Sequence, residues 1–152
     1  RGQEDGTENL LRAMKETYKN KVSGPILDRI DLWLEVPHVD YETLTGLKSE
    51  VGETDQARNA VLEARQQASA RRNDNSSLPS TNASLSSRNI EESVVLTETV
   101  RNTLKSASQK LNLSPRGYHR LIKVARTIAD LDSSEHIQAA HVLEALQYRV
   151  PV

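Results

Sequence analysis

Ile30-Asp31-Leu32-Trp33-Leu34-Glu35-Val36, closed by Pro37, is the one stretch in 152 residues that alternates convincingly as a β-strand does. Ile30, Leu32, Leu34 and Val36 fall on one face, and Asp31, Trp33 and Glu35 on the other. A lone strand cannot satisfy its own backbone donors and acceptors, so it must pair, and nothing else in the sequence offers a partner. The chain is therefore expected to be a piece of a larger protein, mainly helical, with one orphan strand.

Elsewhere the pattern is helical. Leu10, Leu11, Met14 and Tyr18 predict a helix over 10–21, and Ser23-Gly24-Pro25 a turn. Thr54 caps a helix over 55–72 whose apolar stripe is thin: Ala57, Val61, Ala64 and Ala68. Residues 73–89 hold six Ser, four Asn and a Pro, which predicts a flexible loop or linker. Thr97 then caps a helix with Val100, Leu104, Ala107 and Leu111 inward. Ser114 and Pro115, an N-cap and first-turn pair, open a second over 115–131. A third runs over 138–148, with Ala139, Val142, Leu143 and Leu146 inward. Residues 86–149 are expected to pack as a small helical bundle.

Composition narrows the function. Hydrophobic residues make up 36% of the chain and Phe is absent, so the core is lean. Lys and Arg number 20 against 21 Asp and Glu, which excludes a global basic field for nucleic acid but leaves room for a local stripe. Without Cys there is no disulfide, thiolate nucleophile or zinc–thiolate site. No apolar run is long enough to span a membrane, and the polar start Arg1-Gly2-Gln3-Glu4-Asp5-Gly6 is no signal peptide, so a cytoplasmic location is expected.

The helix over 115–131 carries the strongest candidate chemistry. At 100° per residue, with Arg116 as zero, Tyr118, Leu121, Ile122, Val124, Ala125, Ile128 and Ala129 fall between about 80° and 240°, while Arg116, Arg120, Lys123 and Thr127 fall within about 40° of zero. Three cations thus share a stripe opposite the core, with Arg116 in the first turn, where anions are favoured and a guanidinium fork suits phosphate oxygens. A solvated basic face is the competing reading. Arg29, between Asp28 and Asp31, is either locally paired or a phosphate-sensing arginine at a sheet edge. The four His residues are scattered, so no metal site is expected. No nucleophile elbow and no G-x-x-x-x-G-K-[ST] loop occurs, so this chain alone should catalyse nothing.

Three segments carry a resemblance. Tyr18-Lys19-Asn20-Lys21-Val22-Ser23-Gly24-Pro25-Ile26-Leu27-Asp28-Arg29-Ile30-Asp31-Leu32 resembles the K-[IV]-S-G-P-[IL]-L-D-R-I-D stretch of the magnesium-chelatase-like AAA+ ATPases. Leu113-Ser114-Pro115-Arg116-Gly117-Tyr118-His119-Arg120-Leu121-Ile122-Lys123-Val124-Ala125-Arg126-Thr127-Ile128-Ala129-Asp130-Leu131 is similar to the signature of their C-terminal helical lid, and Ala140-His141-Val142 with Glu144-Ala145-Leu146-Gln147-Tyr148-Arg149 to their ending. Within the family the likeness is to the competence-associated YifB/ComM branch.

The resemblance implies a division into an N-terminal extension over 1–15, the end of an AAA+ core over 16–52, and a lid over 53–149. It implies that Arg29 is an arginine finger acting in trans on a neighbouring subunit's ATP. Arg116 matches the sensor-2 arginine, at the γ-phosphate of its own subunit's nucleotide, with Arg120 one turn on as a second phosphate contact. The implied parent is a ring-forming ATPase, a homo-hexamer using ATP and Mg²⁺ to drive branch migration of branched or single-stranded DNA, and the Walker motifs that bind that nucleotide lie outside this chain. Two other readings stay open: an ATPase subunit for metal insertion into tetrapyrroles, and a non-enzymatic helical interaction module.

Overall fold

The structure, a computed structural model, describes residues 29–34, 36, 52–74 and 78–149. The chain divides into two compact units, Arg1–Ile30 and Asp31–Val152. Of the first, the described part is Arg29, exposed at a turn, and the half-buried Ile30. The helix expected over 10–21, the Ser23-Gly24-Pro25 turn and the extension over 1–15 lie outside the described residues.

The second unit is helical: α1 (Glu53–Asp74), a 3₁₀ turn (Asn82–Ser84), α2 (Ser87–Ser93), α3 (Glu98–Lys110), α4 (Pro115–Leu131) and α5 (Ala139–Gln147). Gly52, at φ 109°, turns the chain into α1 and accepts the Gln56 amide, a backbone conformation that only glycine enters freely. Thr97 caps α3 and Ser114 caps α4 by accepting backbone amides, as their positions ahead of the apolar periods predict. Asn112 and Ser133 adopt left-handed conformations past the ends of α3 and α4. There the amides of Leu113 and Ser134 reach back to the carbonyls of Ser108 and Ala129, closing both helices by Schellman bonds.

α4 is the hub, packing on α5, α1, α2 and the 3₁₀ turn, while α3 closes against α5. The centre is aliphatic: Val100, Leu104, Leu121, Ile122, Ile137 and Val142 are fully buried. On α1 the thin stripe is engaged only in its second half. Ala64 is buried and Ala68 half-buried, whereas Ala57 and Val61, expected inward, are exposed.

Three further expectations are corrected. Leu143 is exposed, because the buried face of α5 is formed by His141, Val142 and Ala145, and position 143 sits about 200° around the helix from both 141 and 145. The Ser/Asn-rich stretch is packed over its described part: Leu85 is buried and Leu78 lies against the core.

The third correction concerns the alternating segment, which forms no strand among the described residues. A ladder needs a neighbouring strand, and the described residues hold none. The Trp33 amide instead donates to the carbonyl of Tyr148 at 2.8 Å. The burial departs from the expected faces: Ile30 and Trp33 are half-buried, whereas Leu32, Leu34 and Val36, expected inward, are exposed. An indole offers more apolar area to a single docking contact than any of those aliphatic side chains.

Candidate functional site

The first turn of α4 is built by local chemistry. Ser114 Oγ accepts the Gly117 amide at 3.0 Å, and Pro115 takes the first helical position. Arg116 follows, exposed to solvent. With His119, Arg120 and Lys123 on the next turns, it lines an open groove of about 540 Å³ whose opposite wall is Leu85, Ser86 and Ser87. The structure thus gathers Arg116, Arg120 and Lys123 along one surface, as the wheel predicts.

The cations differ in what already holds them. Lys123 donates to the Ala83 carbonyl at 2.9 Å. Arg120 is ion-paired with Asp31. His119 Nδ1 lies 3.3 Å from Ser87 Oγ, its ring edge-on to Tyr118. Arg116 makes no hydrogen bond or ion pair among the described residues. A fourth cation stands close by: a Cβ on Gly117 would lie 3.0 Å from Arg149 Nη2, so the missing side chain lets Arg149 rest on the first turn of α4. Helix amides, the guanidinium of Arg116 and the nearby Arg149 make a surface suited to an oxyanion. Arg29 belongs to the other unit, where it is exposed at a turn.

A second charged cluster, not anticipated from the sequence, lies within the bundle. Asp130, buried on α4, accepts from Arg126 at 2.9 Å, from Arg71 of α1 at 2.6 Å and from Asn82 of the 3₁₀ turn at 2.7 Å. Arg126 also donates to the carbonyls of Ser134 and Glu135. Burial lowers the Arg126 pKa, the Asp130 carboxylate opposes that shift, and the charge of Arg71 adds to it. Arg126 and Asp130 stand four apart at the margin of the apolar face, a signal that was available in the sequence. Arg71, 59 residues from Asp130, gave none.

His141 is also buried. Its Nδ1 accepts the Gln138 amide at 3.1 Å, and Nε2 lies 3.1 Å from Asp132 Oδ2, so it serves as an internal cap for α5. Among the described residues no group of three or more His, Asp or Glu could hold a metal ion, and no helix is long and apolar enough to cross a membrane.

The sequence is similar to those of known proteins. Over 136 residues the chain is 41% identical to the competence protein ComM of Haemophilus influenzae, covering 89% of this chain and 25% of that protein. It is 36% identical over 132 residues to the protein YifB of Escherichia coli, and 35% over 132 residues to YifB of Salmonella typhimurium, in each case covering 87% of this chain and 25% of the relative. The chain thus spans about a quarter of the length of these relatives. Residues 2–44 match the magnesium chelatase subunit ChlI family. Residues 52–149, which hold the five helices described above and the groove, match the family described as magnesium chelatase, subunit ChlI C-terminal, and the chain belongs to that family.

Proposed function

We propose that this chain is the C-terminal part of an AAA+ ATPase of the ComM/YifB type, a DNA motor in which Arg116 senses the γ-phosphate of its own subunit's nucleotide and Arg29 reaches a neighbour's as an arginine finger. The observation that carries the reading is the state of Arg116: capped into the first turn of α4, exposed on the groove, and without a protein partner among the described residues while Arg120 and Lys123 are engaged. In this reading Arg116 is the first phosphate contact on this helix, and Arg120, one turn on and paired with Asp31, is the second.

Phosphoryl transfer depends chiefly on positioning and on stabilising charge that develops on the phosphoryl oxygens, and a finger arginine contributes on the order of 10³–10⁵ in rate. One arginine on the lid and one supplied in trans make hydrolysis answer both to lid position and to subunit contact. In this reading ATP and Mg²⁺ are held by the rest of the parent, and this chain contributes the two arginines. The competence role in the name of the Haemophilus relative favours DNA as the partner. The reading is completed by a homo-hexameric ring acting on branched or single-stranded DNA.

The test is steady-state ATP hydrolysis by the full-length protein, with and without branched DNA, for wild type, Arg29→Ala and Arg116→Ala. DNA-stimulated hydrolysis that falls at least about 100-fold in either variant supports the reading. Hydrolysis indifferent to DNA and to both arginines overturns it, and hydrolysis that needs the arginines but ignores DNA redirects the motor to another substrate, such as metal insertion into tetrapyrroles.

A further inference from the structure

Arg149 lies just past the end of α5, where its backbone amide donates to the Leu146 carbonyl at 3.1 Å and so fixes the point from which its side chain starts. The guanidinium rests on Gly117 of α4, which is buried: a Cβ there would stand 3.0 Å from Nη2 and 3.9 Å from Cζ. Gly117 is not among the residues with positive φ, so its use is space and not backbone freedom. A larger residue at 117 would push the Arg149 guanidinium off the turn that carries Arg116.

The charge placed there is unsatisfied. The half-buried side chain of Arg149 makes no hydrogen bond or ion pair among the described residues, and neither does that of Arg116. Arg71 and Arg126, by contrast, are spent on Asp130, and Arg120 is paired with Asp31. A guanidinium laid against the amide end of a helix, beside a second cation on the same turn, is repelled by both. A phosphoryl group between them turns both repulsions into attraction, and each guanidinium has planar N–H donors to offer it.

Resting on the sensor role proposed for Arg116, we propose that Arg149 contacts the same terminal phosphoryl group of ATP, as a second guanidinium supplied from outside α4. One arm of the clamp is on α4 and the other at the end of α5, so the site is complete only while these two helices stay packed. Two forks reach different oxygens of one phosphoryl group, which a single arginine covers from one side. Gly117 is a positioning residue that keeps the seat of Arg149 open.

The experiment measures thermal unfolding of the full-length protein and its affinity for ADP and for the non-hydrolysable β,γ-imido analogue of ATP. The variants are Arg149→Gln, Arg149→Lys, Gly117→Ala, the double variant Gly117→Ala/Arg149→Gln, and Arg116→Ala. Losing charge-assisted hydrogen bonds weakens binding about 10- to 100-fold, so Arg149→Gln should lose that much for the ATP analogue and less than about twofold for ADP, with an unchanged melting temperature. Arg149→Lys, which keeps the charge without the fork, should fall between. Gly117→Ala displaces the far end of a flexible side chain and should bind the analogue as weakly as Arg149→Gln, with the double variant no weaker than either. Analogue affinity within about twofold of wild type in Arg149→Gln, equal weakening for ADP, or losses that add in the double variant overturns the role of Arg149, and leaves the sensor standing if Arg116→Ala no longer holds the analogue. Undiminished analogue affinity in Arg116→Ala removes the underlying reading, and the clamp with it.

Discussion

Arg126 and Asp130 stand one turn apart on α4, both buried, with Arg126 Nη2 2.9 Å from Asp130 Oδ1. The same carboxylate draws in Arg71 from α1 and Asn82 from the 3₁₀ turn, so one aspartate fastens three separate elements at the side of the aliphatic core. No buried side-chain polar atom among the described residues lacks a partner, and Asp130 meets that condition by accepting from two guanidinium groups and an amide. Removing it would strand Arg126, whose charged form burial already disfavours. Asp130→Ala is expected to lose about 3–5 kcal/mol of stability in urea unfolding, as breaking one side of a buried ion pair does. A loss below about 1 kcal/mol would show that water reaches the cluster and that it does not fasten α1.

Leu85 is 7% exposed, although its neighbours are serines. Leu85→Ala should cost about 2–5 kcal/mol by leaving a cavity beneath the 3₁₀ turn. The control is Ser84→Ala at an exposed neighbour, expected to change stability by less than about 0.5 kcal/mol. Equal effects would mean that the turn does not bear on the core.

Ser114 positions the turn that carries Arg116. Ser114→Ala removes the acceptor for the Gly117 amide and should lower stability by about 1 kcal/mol, whereas Ser114→Asp keeps the cap and should lose little. Chemical denaturation separates the two. An alanine variant as stable as wild type would place the origin of the turn in Pro115 alone.

His141 satisfies a backbone amide from inside the bundle. His141→Leu keeps the bulk but leaves the Gln138 amide without its acceptor, for an expected loss of about 1–3 kcal/mol. His141→Asn, whose side-chain oxygen can accept the same bond, should recover part of it. Should leucine prove neutral, the amide must find another acceptor, and the internal cap would carry no weight.

What the sequence disclosed was local. Thr97, Ser114 and Pro115 mark helix starts because a cap bonds within three residues of itself, and the apolar faces of α3 and α4 follow from spacing alone. The stripe of Arg116, Arg120 and Lys123 was visible for the same reason. Partnerships across the chain were not: nothing in the residues flanking Arg71 points to Asp130, and nothing near Asp31 points to Arg120. Composition misled where few residues decide the outcome. In the stretch over 73–89 two leucines, Leu78 and Leu85, lie against the core, and Asn82 bonds to Asp130 of α4. Alternation misled over 30–36, because a period of two records which residues share a face but not which face meets a partner.

Trp33 is the single tryptophan in the chain, and it sits on the segment docked to the end of α5 rather than in the helical core. Its emission therefore reports release of that segment, while far-ultraviolet circular dichroism follows the helices. Titrating denaturant against both signals yields two curves, and the midpoint of the tryptophan curve multiplied by its slope is the free energy of opening the docked segment alone, separated from global unfolding without a label.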